Sequence, residues 1–530
     1  MKRTSSLFAA VLLALLSFCS VFAGCADEGE KDTRLVLKVM SWEDYIDNED
    51  YEDEENDIYE GAVIYEFEKY CKETLGLNVK VEYSTVGTNE EMYTKINLNK
   101  ESYDLVCPSE YMIQKMIDEN MLEPIDRSNG KMETYDENVS AYISDLFKRT
   151  RTDADDESTS LYNYAACYMW GTMGFVYNPE FVEEDEVKNW SAVWNKKFKN
   201  KCTIKDSVRD SYVLALGYAY HDELMKYAED LSNALTSDEE KNARLEAEYN
   251  ANITALFNSV SDDAIERTGK LLKLLAPTLY GYEVDSGKKD MAAGKIWINF
   301  AWSGDAVYAM DFAEDPLEVG DKTAELNYIV PEEGSNIFFD GWVMPKGANV
   351  DLAQEYINFI SQPHFAQRNM DFIGYTTSIA SDEIFDNVVE NYGYTGVEKD
   401  ENGAYFAEGE DGEKIEVFPV DLGYLFRKDG DEEDKSYVVY TDTLGRQFSA
   451  QYPDYETVKR CTVMRHFTDE EVIKLNKMWD ESKPTAWQGV FIASMIVLAL
   501  LIVAFVVIKL VGSGSLTLPV RKGYKVVGKE

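Results

Sequence analysis

Residues 489–508, GVFIASMIVLALLIVAFVVI, carry no charge. Such a run is about 30 Å long as a helix, the thickness of a bilayer's hydrocarbon core. A buried helix of a soluble core would normally show a polar face, and none interrupts this one. The segment reads as a C-terminal transmembrane helix, and everything else must fold on one side of it or the other. The flanking tail decides which. Lys509, Arg521, Lys522, Lys525 and Lys529 stand against Glu530 alone, so residues 509–530 are expected to be a short cytoplasmic tail.

The other end of the chain agrees with that orientation. Lys2 and Arg3 precede an apolar stretch from Leu7 to Phe18, which suits a signal peptide and is short for a span. Phe22-Ala23-Gly24-Cys25 resembles the lipobox of bacterial lipoproteins, with Cys25 as the lipidated first mature residue. An ordinary signal peptide cut near Ala23 is the alternative. The expected location is the cell membrane, with the large domain extracytoplasmic.

The charge of that domain excludes some partners. Lys and Arg number 52 and Asp and Glu 98, a formal net charge of −46. Phosphate backbones need neutralising cations, so nucleic acid is not an expected partner. A cationic ligand is compatible. The chain holds 35 Tyr, 24 Phe and 9 Trp, enough for a large packed interior, and its length suits two lobes. Beyond Cys19 and Cys25, the cysteines are Cys71, Cys107, Cys167, Cys202 and Cys461. No CxxC pair is present, so a zinc knuckle is not expected; one or two disulfides and buried free thiols both remain open. The three histidines, His221, His364 and His466, are widely spaced. No cofactor, metal or catalytic residue is expected, and the protein reads as no enzyme.

The order of elements is βαβαβα at the start: a strand over 35–42, helix 61–75, strand 79–83, helix 89–99, strand 104–107 and a helix beginning at 109. This pattern predicts a mainly parallel sheet covered by helices. Ligands of such sheets bind beyond the carboxyl ends of the strands, where Trp42 and Ser109 sit. Residues 47–60 read as a loop too acidic to pack. Residues 162–177 read as a strand pair crossing between lobes. Residues 221–268 read as largely helical, 295–300 as a strand, 305–312 as a helix and 337–345 as strand-like. Residues 351–361 and 469–483 read as helices, and 397–436 as a hydrophilic, Gly-rich insertion.

Six motifs then occur in a telling order: SWEDYI at 41–46, YDLVCPSEYMIQKM at 103–116, YMWGTMGFVYN at 168–178, AWSGDA at 301–306, IFFDGWVMP at 337–345 and IGYTTSIA at 373–380. Their order resembles the spermidine/putrescine-binding proteins of bacterial ABC importers. The resemblance implies an α/β, two-lobed periplasmic-binding-protein-like fold of type 2, with a hinge between the lobes. It implies the binding of a polyamine or related small cation, and membrane permease subunits as partners. The family's ligand-wall aromatics match Trp42, Tyr45, Tyr111 and Trp302, and its carboxylates match Asp210 and Asp340. Phe338 stands where the family often has Trp. Ser207 stands where a second carboxylate is common, with Asp206 as the nearby substitute. The implied organisation is a signal peptide over 1–24, one lobe from 33–165 and 341–380, and a second from 166–340 and 381–485 with an acidic insertion at 397–450. The span and tail follow. Two other readings compete: a membrane-anchored sensor of a cationic solute, and a binding protein for another small solute.

Physical chemistry supports the ligand class independently. A polyamine is an apolar chain with ammonium groups. Carboxylates hold the ammoniums by charge-assisted hydrogen bonds. Aromatic faces cover the methylenes and attract the cations.

Overall fold

A computed structural model of the chain describes residues 34–483, apart from 54–57, 99–101, 321, 410–411, 429 and 433. The signal peptide, Cys25, the run 489–508 and the tail 509–530 lie outside the described residues. Among the described residues no helix is long and apolar enough to cross a membrane.

The opening follows the expected alternation: β1 (Leu35–Trp42), α1 (Val63–Glu73), β2 (Val79–Val86), α2 (Asn89–Leu98), β3 (Leu105–Val106) and α3 (Glu110–Asp118). α1 buries Val63, Phe67 and Cys71, one face at a four-residue spacing. β1 pairs in parallel with both β2 and β3. Two long strands follow later in the chain, β4 (Ala165–Tyr177) and, after the second lobe, the strand Ser335–Pro345. Between them come β5 (Cys202–Lys205), α4 (Val208–Ala219), β6 (Gly281–Glu283), β7 (Ile298–Trp302) and α5 (Ser303–Glu314). The strand Ser335–Pro345 is β8. The main sheet runs β2-β1-β3-β8-β4-β7-β5-β6. Its two ends are parallel units and its middle is antiparallel, because β4 and β8 pass through both lobes.

Two apolar cores flank this middle. The first gathers β1, β3, the N-terminal half of β4 and much of 301–461, with Trp170, Trp342 and Tyr356 in it. The second holds Phe175, Trp190, Tyr212, Phe300 and the helices between 208 and 275. Of the segment 381–485, Ile384 through Cys461 packs in the first core and Met464 through Trp479 in the second. Phe338 belongs to the second core while its neighbours Ile337 and Phe339 belong to the first. Tyr111 and Tyr375 are partly buried against both.

Two readings of the sequence need correction. Residues 165–177 form one strand, not a pair, and every residue of it is buried. The acidic stretch 47–60 does not stay in solvent throughout. Asp47 is buried, its carboxylate takes Arg368 at 2.6 Å, and Glu60 takes the same guanidinium at 3.0 Å. The hydrophilic insertion has its own sheet. It folds as a four-stranded antiparallel sheet of residues 398–399, 405–408, 414–421 and 438–441, anchored by Leu425, Phe426, Tyr437 and Val439. The alternatives for the cysteines resolve as well. Cys71, Cys107, Cys167, Cys202 and Cys461 are all buried free thiols.

Candidate functional site

Asp340 sits where β8 is irregular. It pairs with Met169 of β4, but Gly341 pairs with Cys167, so Tyr168 is the extra residue of a bulge. A bulge bends a strand and re-aims its side chains. Here the Tyr168 hydroxyl donates to the Tyr45 carbonyl at 3.1 Å, and the rings of the two tyrosines meet edge to face at 5.7 Å. Tyr45 in turn donates its hydroxyl to Asp340 Oδ2 at 2.6 Å. Ser109, just after β3, donates to Asp340 Oδ1 at 2.7 Å and is itself held by Asn89 at 3.0 Å. Asp340 is 6% exposed and forms no ion pair among the described residues. Burial pushes its carboxyl up to about 6, against the pull of the Tyr45 and Ser109 hydroxyls.

The aromatic wall continues from Tyr45. Tyr375 lies edge-on to Tyr45 at 5.8 Å and to Phe338 at 5.9 Å. The Tyr375 hydroxyl donates to Asp305 Oδ1 at 3.2 Å. Asp305 also meets Lys205 at 3.0 Å and Lys288 at 3.5 Å. Burial raises its carboxyl, but the two ammonium groups outweigh that and hold it below the ordinary range. Lys205 lies 4.2 Å from the centre of the Trp302 ring. Trp302 ends β7 as the N-cap of α5, which explains its place at a strand end.

Tyr111, in the first turn of α3, carries the Arg209 guanidinium 3.9 Å above its ring, and Phe467 lies 4.2 Å from the same guanidinium. Burial pushes the Tyr111 hydroxyl up, joined by the field of Glu90, Asp210 and Glu110, with Arg209 opposing. Asp210 is in the first turn of α4, capped by the Ser207 hydroxyl at 3.3 Å. Its carboxyl is raised by burial and has no ion pair among the described residues. Glu110 is fully enclosed, accepts from the Phe339 N–H at 3.1 Å and is pushed up to about 8 by burial.

The seven residues read from the sequence therefore fall as follows. Tyr45, Phe338 and Asp340 meet through Tyr375. Trp302 joins by way of Asp305, and Tyr111 shares the field of Asp210. Trp42 ends β1 three residues before Tyr45, and its indole N–H finds no partner among the described residues. Asp206 does not join them: it is exposed and its carboxylate takes Lys483. Five residues of this cluster were not read as site residues: Ser109, Glu110, Lys205, Asp305 and Tyr375. Tyr375 lies within the motif at 373–380, and Ser109 had been noted at a strand end. A lone lysine at a strand end carries no such signal.

The arrangement can hold ammonium groups on desolvated carboxylates between aromatic faces. Among the described residues no group of three or more His, Cys, Asp or Glu side chains is placed to hold a metal.

The family described as "Bacterial extracellular solute-binding protein" matches residues 63–386. The spermidine/putrescine-binding periplasmic protein of Escherichia coli K12 is 27% identical over 315 residues, covering 58% of this chain and 72% of that protein. The putrescine-binding periplasmic protein SpuD of Pseudomonas aeruginosa is 26% identical over 391 residues, covering 72% and 86%. The crystal structure of the spermidine/putrescine ABC transporter substrate-binding protein PotD from Streptococcus pneumoniae, in complex with calcium and HEPES, superposes with a TM-score of 0.52. That pair is 25% identical, covering 84% of this chain and 98% of the other.

Proposed function

Since the chain belongs to the bacterial extracellular solute-binding proteins, we propose that it binds a polyamine between its two lobes and delivers it to the permease of an ABC importer. The observation that carries the ligand class is Asp340. It is a buried carboxylate answered only by hydroxyls, at the end of an aromatic wall of Tyr45, Tyr375 and Phe338. A ligand ammonium there would form a charge-assisted hydrogen bond in a dry site. Tyr45 and Ser109 would orient the carboxylate, and the rings would cover methylenes. Asp210 offers a second buried carboxylate, and Trp42, Tyr111 and Trp302 complete the wall. Names of the relatives support the same class: they are called spermidine/putrescine-binding and putrescine-binding proteins. No chemical step is required of the site; closure of the lobes on the ligand would be the signal to the permease.

Anchoring is part of the proposal. Lipid on Cys25, the span at 489–508, or both would keep the binding domain at the outer face of the membrane. The span would leave the tail 509–530 in the cytoplasm.

Calorimetry on the purified chain with putrescine, spermidine, thiamine and neutral sugars tests the ligand class. Binding of at least one of the two polyamines is expected. Tight sugar binding without response to either polyamine would sink the assignment and leave the fold untouched.

A further inference from the structure

Lys205 is 1% exposed at the end of β5. An ammonium that deep needs compensation, and the fold supplies it. Its Nζ donates to Asp305 Oδ2 at 3.0 Å and to the Val284 carbonyl at 2.9 Å, and it pairs with Glu283 at 3.1 Å. Lys288 adds a second ammonium to Asp305 at 3.5 Å. Two lysines thus cancel two buried carboxylates. Both Asp305 oxygens are engaged, Oδ2 by Lys205 and Oδ1 by Tyr375 and Lys288. One face of Trp302 also holds a cation already.

The opposite end of the wall differs. Asp340 and Asp305 are linked through the Tyr45–Tyr375 pair, one carboxylate at each end. Asp340 meets only hydroxyls, and Asp210 has no ion pair among the described residues. Asp340 is therefore open to a ligand's charge, Asp210 feels Lys205 and Arg209 without an ion pair to either, and Asp305 is filled from within. A further ligand ammonium at Trp302 would face Lys205 across the indole, a like charge in a dry site.

Resting on the polyamine reading, we propose that Lys205 is a specificity-determining residue. Its resident ammonium takes the place that a third ammonium would need against Trp302 and Asp305, so the cleft selects a short diamine over a longer triamine.

Calorimetry on the 530-residue chain with putrescine and spermidine, in one buffer, reads the preference. The unaltered protein is expected to favour putrescine by about tenfold or more. Lys205→Met keeps an unbranched stem and removes the charge; it is expected to move the ratio toward spermidine by about tenfold. That variant leaves Glu283 buried beside no cation, so Lys205→Met with Glu283→Gln is made as well, and thermal unfolding reports whether each folds. A ratio that stays put in a folded variant overturns the proposal, because a merely structural lysine would weaken both ligands together. Equal affinity of the unaltered protein for the two amines also overturns it, while leaving the polyamine reading standing. Binding of neither amine overturns that reading and this proposal with it.

Discussion

A carboxylate kept from water and met only by hydroxyls titrates in a way that can be measured. The Asp340 carboxyl is raised from 3.8 to about 6 by burial. Its contribution to stability is thus full below the ordinary aspartate range and is lost as pH rises through about 6, because the unfolded chain ionises first. An ammonium ligand reverses the preference, since it favours the ionised form. Affinity for putrescine should accordingly climb from about pH 5 to about pH 7 and then level off. Asp340→Asn should flatten that climb and weaken binding by about 2–5 kcal/mol, the usual loss when a buried charge partner is truncated. A variant that keeps the wild-type pH profile would remove Asp340 from the ligand's contacts. Glu110 makes a separate case. Burial holds its carboxyl near 8, the Asp340 charge pushes the same way, and the Phe339 N–H and Arg209 oppose. Its neutral form persists at neutral pH, so folding stability should fall as pH rises from the ordinary glutamate range to about 8 and then level off. Glu110→Gln copies the neutral acid and should flatten that fall between about pH 5 and pH 8 in thermal melts; an unchanged slope would assign the fall to another group.

Close approach between elements decides how well the wall is held. A Cβ at Gly304, in the first turn of α5, would fall inside the Tyr375 ring. Gly304→Ala should push Tyr375 off Asp305 and away from Tyr45, lowering ligand affinity by about tenfold and stability by about 1–3 kcal/mol, as overpacking does. Calorimetry and thermal melts on the same preparation check both. The crossing strands show why some elements were legible and one was misread. β1 alternates buried and half-buried positions at Leu37, Lys38 and Val39, and α1 repeats its apolar face, so both announce themselves by period. β4 is covered on both faces along its whole length. With no exposed face it shows no alternation, and its aromatic run was read as two strands. The insertion is the opposite case, with its internal order hidden by its composition. Its acidic composition marks a surface, yet Asp431, within KDGDEEDK, is ordered by the Lys428 N–H at 2.9 Å, the Tyr437 hydroxyl at 2.9 Å and Lys435 at 3.2 Å. Asp431→Asn should loosen that loop and leave ligand affinity unchanged.

For the molecule as a whole, the proposed export segment and the basic tail, read independently, lead to one prediction. Residues 26–487 are expected outside the cytoplasmic membrane and 509–530 inside. Protease added to intact spheroplasts should digest the large domain and spare an epitope placed after Glu530; loss of the epitope would put the tail outside. Removing everything after Gln488 should make membrane attachment depend on Cys25. Period, charge and motif order were enough to read the α/β architecture and the two-lobed fold, and to nominate seven candidate residues, because each leaves a local mark in the chain. Tertiary structure alone decided how those residues are used. The bulge that turns Tyr168 toward Tyr45 arises from pairing between strands far apart in sequence. Lys205 and Asp305 are 100 residues apart, and Tyr375 stands 70 beyond Asp305. Nothing local marks which of the chain's 98 carboxylates is neutralised from within and which meets only hydroxyls. That depends on which charges share a dry interior, and only folding brings them together.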